Sequence, residues 1–418
     1  MQLVVLAAGK GKRLRPITET RPKPLVPILD KPLIYWLLKR AKGIGIERSI
    51  IVVSYLKEQI INTLSTYINE LGVDVKFIDQ KEELGTGHAL MRASNFIDDD
   101  ALVIYGDLFI NGEVLRKVIT RGVKCNKLVI SGVEVEKPQH YGVLVIEGDK
   151  VMDIVEKPGE QVFSNLVNAG IYYIPHRLLK LLNLIQLSPR GEYELTDLVK
   201  IIRNRGEDAL LVTIDNKSWM DIGRPWDIIE ANKRALQYQL MNRIIKGDLD
   251  RHVTIKGPVY IGEGAKVKAG SYIIGPVYIS EEAEIGPNAY LRSYTVLGKG
   301  SRAGFSVEVK ESVIFENVRA SHLSYIGDSV VCEHVNLGAG TVIANLRFDN
   351  KTVRVVIEGE KVDSGRRKLG AFIGAKVKTG INVSIMPGVK IGSRAVIYPG
   401  VTVYRDVPSG AIVKENWK

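Results

Sequence analysis

The chain predicts an α/β domain built on a mostly parallel sheet over residues 1–230, then a helical linker at 231–250, then a parallel β-helix over residues 251–418. Three observations carry this. Short apolar runs alternate with helical periodicity in the first half. Aliphatic residues recur every six positions in the second half. The first apolar run breaks at once into a small-residue and glycine loop, Ala7-Ala8-Gly9-Lys10-Gly11.

Leu3–Leu6, Ser49–Val53, Val73–Ile78 and Ala101–Tyr105 read as buried strands. Pro32 opens a helix through Leu38 to Ala41, because proline is accepted at the first helical position. Ile60, Leu64, Tyr67 and Leu71 share one helical face. Ligands of such sheets gather beyond the carboxyl ends of the strands, and the polar motifs of this half follow strands. From Ile255 to Leu297 every sixth residue is Ile, Leu or Val, with a second track of small or β-branched residues four places on. The ladder resumes from Ile373 to Val403. Phe305–His322 and the basic stretch Leu346–Leu369 interrupt it. Each hexad supplies a short strand and a turn, and stacked coils bury the ladder.

The net charge is +11, from 58 basic and 47 acidic residues. The basic residues are scattered in short clusters, which favours phosphorylated small molecules over nucleic acid. Cys125 and Cys332 fit no metal-ligand spacing and read as free thiols of a reducing compartment. No apolar run reaches the length of a membrane span, and Met1–Gly9 lacks a basic leader, so the expected location is the cytoplasm.

After the first strand, exposed backbone N–H groups of the glycine loop can wrap a polyphosphate. Arg13 offers a fork of donors to phosphate and Lys23 a point charge. Neither the Gly-Lys-Ser/Thr ending of a P-loop nor a GxGxxG fingerprint is present. Asp107 follows the strand Ala101–Tyr105, a suitable place for a magnesium ligand. Taken singly, these residues also suit turns and solvated surfaces.

The run Leu6 to Pro27, LAAGKGKRLRPITETRPKPLVP, resembles the signature of sugar-1-phosphate nucleotidylyltransferases. The resemblance implies that Leu6, Ala7, Ala8 and Gly9 bind the nucleoside triphosphate, with Gln80, Gly85 and Thr86 of QKEELGTGHA at the pyrimidine base. It implies catalytic phosphate contacts from Arg13 and Lys23, and Mg²⁺ held by Asp107 and by Asp221 of WMDIG. Gly142, Glu156, Lys157 and Asn168 match residues that hold the sugar phosphate. RPKPLVP and WMDIG look more like glucose-1-phosphate thymidylyltransferases than like the bacterial bifunctional enzyme, whose second metal residue is an asparagine.

The β-helix resembles hexapeptide acyltransferases, which implies a left-handed coil and a homotrimer. HLSYIGD at 322–328, NLGAGT at 336–341 and Asn345 resemble the acetyltransferase domain of the bifunctional glucosamine-1-phosphate acetyltransferase/N-acetylglucosamine-1-phosphate uridylyltransferase family. This implies His322 as general base, an acetyl-acceptor site of Arg292, Lys310, Tyr325, Asn336 and Asn345, and acetyl-CoA near Ala339 and Ala375. A histidine titrating near neutrality suits removal of an amine proton.

The whole chain is most similar to archaeal bifunctional sugar-1-phosphate nucleotidylyltransferase/acetyltransferases: a Rossmann-like nucleotidyltransferase domain followed by a left-handed parallel β-helix of hexapeptide repeats. The implied partners are UTP or dTTP, sugar-1-phosphates and acetyl-CoA, with no nucleic acid and no membrane. A nucleotidylyltransferase with a purely structural β-helix is the alternative. Retention of His322 with Tyr325 and Asn345 argues against it. A non-catalytic subunit of the translation-initiation exchange-factor type is a third reading, disfavoured by Arg13, Lys23, Asp107 and Asp221.

Overall fold

The computed structural model describes residues 1–159 and 163–418. These form two compact units. The first comprises Met1–Lys10, Pro22–Leu25 and Pro32–Asp221, and the second Gly11–Arg21, Val26–Lys31 and Ile222–Lys418.

A nine-stranded sheet organises the first unit. Its spatial order is Asp74–Asp79, Arg48–Val53, Gln2–Leu6, Ala101–Tyr105, Leu166–Ile174, Val129–Glu134, Ala209–Ile214, Lys150–Glu156 and Gly142–Glu147. The first four strands are parallel. Ser49 to Val53 is buried throughout, as suits a parallel strand covered on both faces. Helices Leu33–Lys42, Lys57–Leu71 and Gly112–Cys125 contribute to one apolar cluster, and Thr86–Ser94 and Leu198–Arg203 to another. Ile60 and Leu64 carry the core face of Lys57–Leu71. Pro32 takes extended ψ at the cap of Leu33–Lys42, just outside the expected first helical position.

Leu166–Ile174 and Lys150–Glu156 run antiparallel to their neighbours, so the sheet is mixed. The carboxyl ends of Gln2–Leu6 and Ala101–Tyr105 emerge side by side. Ala7 N–H donates to the Val52 carbonyl at 2.8 Å, and Gly106 N–H to the Leu6 carbonyl at 2.8 Å. Both predicted phosphate-side loops therefore leave from one edge.

The second unit is a three-faced parallel β-helix with sheets of eight, nine and eight strands. Val259 pairs with Val277 and Val277 with Thr295, so a complete coil takes eighteen residues, three hexads. Its interior is the aliphatic ladder, including Ile261, Val267, Ile273, Ile279, Ile285 and Leu291. The coils begin at Arg243–Ile245, which pairs with Val259–Ile261, inside the segment expected as linker. The helix there is shorter, Asp227–Gln239. The first strands were hidden because Arg243, Ile244 and Ile245 are exposed and start no buried ladder.

Phe305–His322 does not leave the solenoid. Arg302 pairs with Arg319, Phe305 with His322 and Glu308 with Tyr325, so these coils are one residue short and the six-residue phase slips. The second interruption does leave it. Val342 pairs with Ser384, and the intervening chain forms an antiparallel hairpin of Arg354–Ile357 and Glu360–Asp363.

Gly11–Arg21 is fastened within this second unit by its own side chains. Thr20 Oγ1 donates to Glu333 Oε1 at 2.9 Å, and Arg21 binds Glu316 and approaches Glu333 at 3.4 Å. Glu19 Oε2 accepts from Ser393 N–H at 2.8 Å and from the Ser409 hydroxyl at 2.7 Å. No helix among the described residues is long and apolar enough to cross a membrane.

Candidate active sites

In the first unit, Lys23 Nζ donates to Asp107 Oδ2 at 2.5 Å and lies 3.6 Å from Asp221 Oδ1. The two carboxylates meet because Asp221 pairs with Leu108, the residue after Asp107, in the short antiparallel ladder Trp219–Asp221 with Leu108–Ile110. Trp219 Nε1–H donates to the Ala169 carbonyl at 2.8 Å and anchors that ladder. Two carboxylates beside one ammonium form an incomplete oxygen cage, which suits a hard divalent ion that also takes phosphate oxygens. Among the described residues no group of three or more acidic, His or Cys side chains forms a closed metal cage.

Leu6 ends its strand, and Ala7 and Ala8 are buried behind the loop that Gly9 continues. Arg13 sits in the short helix Lys12–Leu14, on the segment that packs with the second unit.

Gln80 is buried, with Nε2 donating to the Gly85 carbonyl at 3.0 Å and lying 3.2 Å from His88 Nδ1. Gly85 has φ +97°, and a Cβ there would stand 2.7 Å from the Tyr193 carbonyl oxygen, so both conformation and crowding require glycine. Thr86 Oγ1 accepts from Leu195 N–H at 3.1 Å, and Gly87 N–H donates to Tyr193 O at 2.7 Å. The segment around Tyr193 and Glu194 thus supports the loop expected at the base.

Gly142 pairs with Glu156 across adjacent strands. Glu156 lies 3.8 Å from Arg190, which also holds Glu194 at 3.1 Å. Burial, then the Glu194 charge, pushes the Glu156 carboxyl up, against the pull of Arg190. Asn168 Nδ2 donates to the Tyr172 hydroxyl at 2.5 Å, which lies 3.1 Å from the Tyr105 hydroxyl. Lys157 is exposed with φ 46°, its N–H bound to the Tyr141 carbonyl at 3.0 Å. Sequence reasoning missed Arg190, Glu194, Tyr105 and Tyr172. No motif marks Arg190, Glu194 or Tyr172, and Tyr105 reads as the end of a buried strand.

The β-helix collects Lys310, Tyr325 and Asn345 around one buried carboxylate, Asp328. Lys310 Nζ donates to both Asp328 oxygens at 2.8 and 3.0 Å. Asn345 Nδ2 donates to Asp328 Oδ2 at 2.5 Å and to the Tyr325 hydroxyl at 3.0 Å. Burial and the Asp328 charge push the Tyr325 hydroxyl up, so it stays protonated near neutrality. Arg292 pairs with Glu308 at 3.0 Å, and Glu308 stands opposite Tyr325 in register. These residues lie on the third face or the corner leaving it, because Arg292 follows the strand Tyr290–Leu291 and Lys310 ends Glu308–Lys310.

His322 is exposed and ends the strand Arg319–His322 on the second face, one corner before Tyr325. Asn336 opens a strand on that same second face, and Ala339 is partly exposed. Ala375, expected near acetyl-CoA, is fully buried. It is level with Glu333 and Ser393 of the neighbouring coils, a position that lies outside the aliphatic interior. Arg366, the inward-facing member of the basic Arg366-Arg367-Lys368 run, pairs with Glu311 at 2.6 Å and lies 3.9 Å from Asp328. Burial opposes ionisation of Glu311, but Arg366, Lys233 and Lys310 outweigh it and hold that carboxyl low. Asp328 and Glu311 were not singled out from sequence, since acidic residues at coil corners ordinarily face solvent.

Comparison with known proteins agrees with both halves. Residues 2–238 match the nucleotidyl transferase family, 273–379 the GMPPB C-terminal domain, and 370–405 the bacterial transferase hexapeptide (six repeats). The chain belongs to the nucleotidyl transferase family, in the group that carries hexapeptide repeats. It is 47% identical over 417 residues to a bifunctional sugar-1-phosphate nucleotidylyltransferase/acetyltransferase of Sulfurisphaera tokodaii, covering 99% of this chain and 100% of that protein. It is 41% identical over 415 residues to the bifunctional protein GlmU of Methanocaldococcus jannaschii, covering 99% and 97%. To GlmU of Thermotoga petrophila the identity is 31% over 477 residues, covering 100% and 98%.

Proposed function

We propose that the enzyme acetylates glucosamine-1-phosphate, or its galactosamine epimer, with acetyl-CoA, and transfers a uridylyl or thymidylyl group from UTP or dTTP to the product or a related sugar-1-phosphate, releasing pyrophosphate. The observation that carries this is the coexistence of two separate polar centres: Lys23 between Asp107 and Asp221, and Lys310, Tyr325 and Asn345 around Asp328.

In nucleotidyl transfer a sugar phosphate oxygen attacks the α-phosphorus and pyrophosphate leaves. Both reactants are anions, so the work is charge neutralisation and alignment. Arg13 and Lys23 supply positive charge to the triphosphate, and Lys157 to the sugar phosphate. Gln80, Gly85 and Thr86 receive the base. Glu156, Asn168 and the Gly142 backbone hold sugar hydroxyls. Asp107 and Asp221 would hold Mg²⁺, which supplies further neutralisation of the phosphates. Lys23 lies against both carboxylates, so it is placed to exchange carboxylate for phosphate contacts as substrate enters.

In acetyl transfer the amine attacks the thioester carbonyl, its proton passes to His322 and from there to the CoA sulfur as the C–S bond breaks, and CoA leaves as the thiol. Arg292, Lys310 and Asn345 orient the phosphorylated acceptor, with Tyr325 as a neutral donor. Asn336 and Ala339 lie toward the donor path. His322 and Asn336 belong to a different face from Lys310, which supports a site completed by a second copy, as in a homotrimer. The proposed location is the cytoplasm, where all these substrates and two free thiols coexist.

The test is a substrate panel on the full-length protein, scoring pyrophosphate and free thiol separately, with and without Mg²⁺. Both products are expected, and only pyrophosphate release should need the ion. Absence of thiol release with every amino sugar phosphate would reduce the β-helix to a scaffold.

A further inference from the structure

Leu346–Leu369 and the corners after Ile385 and Val403 enclose an open cleft of about 590 Å³ within the second unit. It is lined by Arg347, Lys351, Arg354, Lys361, Arg405 and Tyr404, with two carboxylates, Asp349 and Asp406. The carboxylates are already neutralised. Asp349 pairs with Arg347 at 2.6 Å, and Asp406 with Lys390 at 3.1 Å. Lys351, Arg354, Lys361 and Arg405 form no ion pair with any acidic side chain among the described residues, although their charges converge on one concavity.

The hairpin is built to present them. Val355 and Ile357 are buried, so strand alternation sends Arg354 and Val356 to the opposite face. Lys361 pairs directly across from Val356 and joins that face. Tyr404 is half exposed beside these cations and offers an aromatic surface. Unneutralised cations in a concavity repel one another unless an anion joins them. A phosphorylated nucleotide meets both features: phosphates for the cations and a base for the ring.

We propose that this cleft binds the phosphates of a nucleotide through Lys351, Arg354, Lys361 and Arg405, with its base over Tyr404. The site is separate from the Lys310–Asp328 cluster and from Arg366, whose charge is spent on Glu311. On the proposed reactions, two sources carry this chemistry: the 3′-phospho-ADP end of the acetyl donor, and the nucleoside triphosphate or its sugar product.

Calorimetric titration of the full-length protein with 3′-phosphoadenosine 5′-diphosphate and, separately, with UTP tests the proposal. The variants are Arg354→Ala with Lys361→Ala, and independently Lys351→Glu in the exposed loop, so one misfolded protein does not decide the result. Loss of two charge-assisted contacts should weaken one ligand by at least about tenfold. If 3′-phosphoadenosine 5′-diphosphate is weakened and UTP is not, the acetyl donor occupies the cleft. The apparent KM for acetyl-CoA should then rise with kcat and nucleotidyl transfer unchanged. If UTP stoichiometry falls by one site per chain, the cleft holds the nucleoside triphosphate. Unchanged binding of both ligands in folded variants overturns the proposal. Because binding is read directly, a protein that loses this binding yet never acetylates would refute the acetyl-transfer reading and leave the cleft standing.

Discussion

Glu156 shows how one neighbour sets the working range of a residue. Burial and Glu194 raise its pKa, and Arg190 at 3.8 Å pulls the other way. Arg190→Ala removes that attraction while the repulsion stays, so the pKa rises further. If Glu156 accepts sugar hydroxyls as a carboxylate, activity falls as pH drops through its pKa. The acid limb of kcat/KM for nucleotidyl transfer should therefore move to higher pH. A pH–rate profile measures this, and an unmoved limb would detach Glu156 from the reaction. The sequence motif could expose Glu156 but not Arg190. The partner arrives from a segment more than thirty residues away and carries no pattern of its own.

At the scale of elements, the strand Tyr325–Gly327 closely constrains the Lys310–Asp328 cluster. A Cβ on Gly327 would lie 2.5 Å from the Tyr325 hydroxyl and 2.8 Å from Asn345 Nδ2. Both side chains cross directly over that backbone. Gly327→Ala should displace them and lower acetyl transfer by about tenfold or more, since small misplacements are costly. The same crowding should destabilise the β-helix by about 1–3 kcal/mol. Parallel assays and thermal unfolding report the two effects, and nucleotidyl transfer serves as the internal control. The hexads themselves were legible because each coil must place an aliphatic residue inside at a fixed phase. The shortened coils around Phe305–His322 looked like a departure because one missing residue shifts that phase while the ladder continues. The excursion at Leu346–Leu369 was visible as lost periodicity. Its hairpin was not, since Arg354–Ile357 mixes buried apolar with exposed charged residues and Glu360–Asp363 buries none, over only four positions each.

For the whole molecule, the chain is a nucleotidyl transferase unit and a β-helix unit, and each contains a polar centre. The boundary was only partly legible. Strand–helix alternation and hexads separate the halves, yet Gly11–Arg21 packs with the second unit through Glu19, Thr20 and Arg21. Those partners, Glu316, Glu333, Ser393 and Ser409, lie some three hundred residues or more away, and ordinary polar side chains give no sign of such a pairing. The central claim is that two reactions are run by two residue sets. The direct measurement is both activities on single preparations of full-length Asp107→Asn and His322→Ala. On the proposed assignment of Asp107 to the metal, Asp107→Asn should reduce pyrophosphate release by about a hundredfold or more while thiol release persists. His322→Ala should reduce thiol release by about 10² to 10⁴, chiefly in kcat, while pyrophosphate release persists. A variant that lowers both activities together, or a His322→Ala enzyme retaining more than about a third of acetyl transfer, a loss far below the general-base range, would contradict the account.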